Sequence, residues 1–401
     1  MSWGFAREKI ISILIGAGFS APKGYPIGNR LNQLLLNSKN ENIGFPSEGS
    51  LAVNTDGSKP EFGYKSSHQI DFEFCCELMN HYSKIFKNFD YEEFFDYTVS
   101  AAIFDKEVEK VAEPFLDGTN SVHSLINGTR KILNQLVSYY LRDREGNRYY
   151  DDRPFIIGKY YPGYTGIMSY ISDLSTGSII NIHTLNHDLF FERFNNTEFL
   201  NGTLCDGFEE LGSPYYGNLL VNNRKYKVRL ERYTGNYTTN VRLFKLHGSL
   251  NYEIFYNSER GLITPEIYIK TRYGIAHTNH YKEFENDKGQ LDYQNSWINY
   301  HGDFLTGTST KILRYDEPLL FSKLFEYFRR NLEQSDTLII IGYGAKDSEI
   351  NKMIFQHYNF PYNKVFIIDP YPSSKLIDFG SSLRAKFIRK QLEDIKPNDL
   401  T

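Results

Sequence analysis

Cysteine is scarce in these 401 residues: Cys75, Cys76 and Cys205 are all there is. Three thiols cannot build a disulfide framework or a four-cysteine zinc site. Cys75 and Cys76 are adjacent, so their side chains diverge, and no CxxC pair occurs. The chain therefore reads as intracellular and free of structural metal. An excess of either charge is also missing. Lys and Arg number 45 against 49 Asp and Glu, a formal net charge of -4, so no global positive field draws nucleic acid or anionic lipid. No apolar run approaches the ~20 residues of a membrane-spanning helix. Arg7 and Lys9 ahead of Ile10–Ile15 superficially imitate a signal peptide. Glu8 breaks the basic stretch, however, and the run opens straight into a glycine-rich turn, which suits a buried first strand better. A cytoplasmic location is expected.

Aromatics are abundant, with 31 Tyr and 30 Phe, and their general use is core and interface packing. The length predicts two or three units, and the pattern supports two. Strands rich in β-branched residues are predicted at Ile10–Ile15, Ser178–Leu185, Val241–Leu246, Thr337–Ile341 and Lys364–Asp369. Helices are predicted at Asn29–Asn37, Asp188–Asn195 and Asp347–His357. This alternation predicts an α/β fold, a doubly wound, Rossmann-like parallel sheet covered on both faces. Helical spacing over Ile70–Phe104 and Val122–Leu141 predicts a helical insertion domain at 40–175, leaving 1–39 and 176–401 as a discontinuous nucleotide-binding domain. The polar, Tyr- and Asn-rich stretch Glu253–Gly307 reads equally as a hairpin or a loop.

Five strand ends carry candidate chemistry. The first runs into Gly16-Ala17-Gly18-Phe19-Ser20, with Gly24 following. Glycines between strand and helix let backbone N–H groups approach a pyrophosphate, or simply make a tight turn without ligand. The spacing differs from the GxGxxG of dehydrogenases. The second ends Thr184-Leu185-Asn186-His187-Asp188, where Asn186 and Asp188 either cap the next helix or meet a ligand. The third ends Leu246-His247-Gly248, placing an imidazole whose pKa suits acid–base work at a strand's C-terminal edge. The fourth ends Gly342-Tyr343-Gly344-Ala345-Lys346-Asp347, with Asp347 read as a helix N-cap. After the fifth, Asp369-Pro370 offers a carboxylate for ribose hydroxyls or an Asp-Pro turn.

Taken in order, these motifs resemble those of sirtuins. Gly16-Ala17-Gly18-Phe19-Ser20 with Gly24-Tyr25-Pro26 is similar to the family's GAGxSxxxGIP. Thr184–Asp188 is similar to Thr-Gln-Asn-Ile-Asp, Leu246-His247-Gly248 to Leu-His-Gly, and Gly342-Tyr343 with Asp347 to the Gly-Tyr-x-x-x-Asp of prokaryotic members. The chain departs at Ile27-Gly28-Asn29-Arg30, where sirtuins carry Asp-Phe-Arg. The resemblance implies NAD as substrate, with Gly16, Ala17, Gly18, Ser20, Pro26, Thr184, Asp188, Gly248, Gly342, Tyr343, Gly344 and Asp369 around it. It implies Asn186 on the nicotinamide ribose and His247 as the base.

Deacylase sirtuins hold their peptide against a module built on four zinc-binding cysteines, which this chain does not carry. Water is then the simplest nucleophile, and the expected activity is NAD glycohydrolase. The resemblance further implies an NAD-depleting effector of bacterial anti-phage defence, active as a homo-oligomer or with a HerA-like ATPase subunit. An ADP-ribosyltransferase, a deacylase and a non-catalytic NAD- or ADP-ribose-binding subunit are the alternatives.

Overall fold

The computed structural model describes residues 8–54, 56–142, 163–221, 224–257, 262–272 and 275–401. Arg7, residues 143–162 of the predicted insertion, and residues 258–261 and 273–274 of the undecided polar stretch lie outside them. Seven strands form one sheet: β1 (Lys9–Ile15), β2 (Ser178–Thr184), β3 (Leu204–Cys205), β4 (Val241–Lys245), β5 (Thr337–Ile341), β6 (Lys364–Ile368) and β7 (Lys386–Ile388). They pair in parallel throughout, in the order β7-β6-β5-β1-β2-β4-β3. All five predicted strands are present; the short edge strands β3 and β7 were not predicted.

Setting the edge strand β3 aside, the chain fills the sheet outward from β1. It goes first through β2 and β4 on one side, then through β5, β6 and β7 on the other. That is the doubly wound order, and its switch point lies between β1 and β5. The strands read as nearly continuous apolar runs because both faces are covered. Ile11, Ile13 and Ile15 share a core with Ile339, Ile341 and the helix α6 (Thr165–Ser175), through Ile167, Met168 and Ile171. Leu14, Leu338 and Ile340 face the opposite way, against Phe321, Leu324, Phe325 and Phe328 of α8 (Phe321–Gln334). Alternate residues of one strand thus feed two cores, as the period of two requires.

The remaining helices are α1 (Gly28–Leu36), α2 (Ser67–Phe86), α3 (Tyr91–Ser100), α4 (Lys106–Ala112), α5 (Val122–Tyr140), α7 (Thr310–Leu313), α9 (Ser348–His357) and α10 (Ser374–Ser382). A third core joins α1 to α2–α5 through Leu31, Leu35, Phe72, Leu78, Phe94, Leu125, Ile132 and Leu136. Its members include Leu189 and Leu250, just past the ends of β2 and β4, and Phe304, which is bridged to Gly248. The helical layer therefore sits on the strands' C-terminal end, where ligands bind in such sheets. Cys75 and Cys76 are buried in it, and burial raises both thiols, Cys76 to about 12.

One prediction needs correction, and the stretch left open between hairpin and loop proves to be hairpins. The helix expected at Asp188–Asn195 is a 3-10 helix at Phe191–Asn196. Three residues per turn stack Phe191 directly under Phe194, and both rings pack on Phe19 at 5.7 and 6.4 Å. The chain between β3 and α7 is largely antiparallel sheet, in two four-stranded units. One contains 207–209, 231–236, 264–270 and 252–257; the other contains 291–295, 275–285, 215–221 and 224–229. Strands such as Arg224–Arg229 are exposed along most of their length, so they carry little apolar alternation to reveal them.

Candidate functional site

The switch point is closed by glycine against glycine. Gly16 N–H donates to Ile341 O at 3.0 Å, and Gly18 N–H to Gly342 O at 2.9 Å. A Cβ on Gly16 would lie 2.6 Å from Gly342 O, and one on Gly18 2.7 Å from Gly342 Cα. Gly342 itself has φ +60°, which disfavours any residue with a side chain. The open faces of Gly16 and Gly18 are therefore filled by the neighbouring loop. The turn continues as two short 3-10 segments, Ala17–Phe19 and Ala21–Lys23, closed by Gly24 at φ +88°. Ala17 is exposed and Pro26 buried.

Asn186 locks onto this turn. Its Nδ2 donates to Gly16 O at 3.1 Å and to Ser20 Oγ at 3.2 Å, while its N–H donates to Thr184 Oγ1 at 3.1 Å. Both amide hydrogens are thereby committed, and Oδ1 presents the free lone pairs. Ser20 is buried and donates to Asp188 Oδ1 at 3.1 Å; the same oxygen accepts from Phe190 N–H at 3.0 Å. Burial pushes the Asp188 carboxyl up to about 6, with the buried Lys245 opposing it. Lys245 Nζ donates to the Asp188 carbonyl and pairs with Glu192 at 2.8 Å. Asp188 is thus tied into the second strand's own exit turn.

Parallel register brings Asn186 and His247 together. Thr184 pairs with Lys245, so Asn186 and His247, each two residues further on, leave adjacent strands at one level. Gly248, at φ +79°, turns the chain so tightly that a Cβ would lie 2.4 Å from Asp303 O. His247 O accepts from Leu305 N–H at 2.8 Å, and the ring faces His187 at 6.3 Å and Tyr315 at 6.5 Å.

The imidazole also meets a chain of charges, buried Lys311 between half-buried Asp347 and Glu92. His247 Nε2 lies 3.5 Å from Asp347 Oδ2. Lys311 Nζ lies 2.9 Å from that same Oδ2 and 3.0 Å from Glu92 Oε2. Asp347 is the predicted N-cap, its Oδ1 accepting from Glu349 and Ile350 N–H at 3.1 Å, but its second oxygen belongs to this cluster. Burial, then Lys311, hold His247 below its ordinary range, with Asp347 opposing. Burial works against the Asp347 charge, yet His247 and Lys311 more than offset it and lower its carboxyl. Lys311 is raised, the two carboxylates overcoming burial, and burial raises Glu92 against the pull of Lys311.

Sequence reading missed Lys311 and Glu92. They come from α7 and α3, far apart in the chain, and no local motif marks either. His187 is buried, and burial, then the neighbouring His247, hold it well below its usual range.

The late residues also have structural contacts of their own. Tyr343 is buried, and its hydroxyl donates to Asp347 O at 3.0 Å and Asn351 Oδ1 at 2.8 Å, so it points into the start of α9. Asp369 Oδ1 accepts from Tyr371 N–H at 2.8 Å, the turn use of Asp-Pro. Gly344 is exposed, and a Cβ there would make ordinary contact with the Lys346 side chain at 3.8 Å. Among the described residues no group of three His, Cys, Asp or Glu converges to hold a metal, and no helix is long and apolar enough to cross a membrane.

No family model and no curated protein matches this chain. Among solved structures, one described as the structural basis for the mechanism and regulation of Sir2 enzymes aligns at 11% identity and TM-score 0.35, covering 98% of this chain and 91% of that one. Another, a Sir2 homologue–NAD complex, aligns at 12% identity and TM-score 0.35, covering 98% and 89%. At that TM-score the assignment of fold rests on the strand order and parallel pairing alone.

Proposed function

We propose that this chain cleaves NAD to nicotinamide and ADP-ribose. One observation carries the reading: Asn186 and His247 leave adjacent parallel strands at the same level, Asn186 being tied to the glycine turn at the switch point. The donor set suits a nucleotide whose ribose must be gripped near a base. Breaking the N-glycosidic bond sends its electron pair to nicotinamide and leaves a ribosyl cation. Water then bonds to that carbon and gives its proton to a base. A neutral imidazole fits the last step, and burial favours that form of His247. Asn186 Oδ1, with its amide hydrogens committed elsewhere, can accept from a ribose hydroxyl or orient the water.

The motif resemblance extends this proposal. The parallel-sheet residues within 1–39 and 176–401 serve as the NAD domain, and α2–α5 as an inserted regulatory domain. The biological setting would be NAD depletion in anti-phage defence, switched by self-assembly or a HerA-like ATPase, in the cytoplasm. The test is chromatography of purified chain with NAD, alone and with its genomic-neighbour protein. Appearance of nicotinamide and ADP-ribose together supports hydrolysis. Label passing to an acceptor protein, loss of an acyl group from a lysine peptide, or NAD binding without turnover would replace hydrolysis by transfer, deacylation or a binding role respectively.

A further inference from the structure

The mechanism above uses His247 but leaves three charged groups beside it unexplained, Lys311 buried and Glu92 and Asp347 half-buried. Glu92, Lys311 and Asp347 form a line from the helical layer to the sheet, at 3.0 and 2.9 Å, ending 3.5 Å from the imidazole. Lys311 is 6% exposed, and burying an ammonium is costly unless it is paired. A carboxylate on each side meets that cost here. The segment bearing it is clamped from the same helix: Asp96, one turn beyond Glu92 on α3, accepts from the backbone and hydroxyl of Thr308, Ser309 and Thr310 at 2.5–3.2 Å. Helix α3 thus sets where Lys311 sits, and Lys311 shares the Asp347 oxygen that faces His247.

We propose that Lys311 is a positioning residue for His247: by engaging Asp347 it keeps that carboxylate from capturing the imidazole, and it makes the site responsive to movement of α3. This rests on the reading of His247 as the base. The groups facing the imidazole are Asp347 before α9, Lys311 on α7, His187 after β2 and Tyr315 after α7, with Glu92 of α3 behind Lys311. Of these only Lys311 supplies a fixed positive charge. Without it, two half-buried carboxylates remain, and the imidazole is the group beside Asp347 able to balance them. Protonated His247 cannot accept a proton from water. A shift of α3, by assembly or a partner, would act through the same contacts.

The test follows the His247 imidazole by heteronuclear NMR in histidine-labelled full-length protein, its signals assigned by their loss in His247→Gln. Lys311→Met removes the charge, and Lys311→Gln removes it while keeping a donor for both carboxylates, should the first variant fail to fold. In wild type and Lys311→Arg the ring is expected to stay neutral between about pH 5 and 9. In Lys311→Gln its titration is expected to move up in pH, toward or into the acid end of that window. Identical titration in wild type and Lys311→Gln would overturn the proposal. The reading is independent of turnover: if wild type leaves NAD intact, the glycohydrolase function falls while the titration still decides the role of Lys311. If wild type cleaves NAD, the acid limb of kcat/KM should move to higher pH in Lys311→Gln. A uniform fall in rate with an unmoved limb would mark Lys311 as merely structural.

Discussion

Gly16 and Gly342 stand so close that the carbonyl oxygen of Gly342 occupies the space of a Cβ on Gly16, 2.6 Å away. This contact joins the first and fifth strands of the sheet at its switch point. It gives the glycine motifs a structural use of their own, apart from any ligand.

Gly342→Ala is accordingly expected to destabilise the fold. Its Cβ would lie 2.4 Å from Phe19 N, and φ +60° is unfavourable for alanine. Overpacking and left-handed strain together predict a loss of at least about 2 kcal/mol. Urea unfolding followed by circular dichroism checks this; an unchanged midpoint would show that the two loops separate easily.

His247→Ala should lower NAD turnover by on the order of 10²–10⁴, the range for loss of an acid–base group. Asn186→Ala should act similarly, though it also frees the turn at Gly16 and Ser20, so its melting curve belongs with its kinetics. Wild-type rates in both variants would remove these residues from the site.

Asp96 gives the fold a dependence on acid. Burial opposes its charge, but hydrogen bonds from Thr308, Thr310 and Ser309 prevail and hold its carboxyl well below the ordinary range. A depressed folded-state pKa means stability that is complete above the unfolded value and drains away as pH falls beneath it, from about pH 4 downward. Asp96→Asn should be less stable than wild type at neutral pH, and the gap should narrow under acid. Urea midpoints at neutral and acid pH, if equally separated, would contradict it.

Thiol chemistry separates the cysteines. Cys75 and Cys76 are buried among the helices, while Cys205 is partly exposed. In the native protein iodoacetamide is expected to label Cys205 and spare the pair, with all three reacting in denaturant. Mass spectrometry of native labelling reads this directly, and rapid modification of Cys75 or Cys76 would mean that the helical layer opens readily.

Much of the sheet could be read from the chain because its signals are local. Thr337–Ile341 and the other central strands are rich in apolar, β-branched residues, and turn-forming residues follow each of them. Asp347 was legible as a cap because capping is a contact across two or three residues. The antiparallel sheets between β3 and α7 were not, since exposed strands such as Arg224–Arg229 lack a buried face to impose alternation.

The sequence by itself determined which residues end the strands, and so put Asn186 and His247 at candidate positions. Tertiary structure decided what stands beside them. Parallel register set Asn186 level with His247, and the packing of α3 over the sheet brought Glu92 and Lys311 to Asp347. Glu92 lies 219 residues from Lys311, and no pattern along the chain encodes a pairing that exists only where two layers meet.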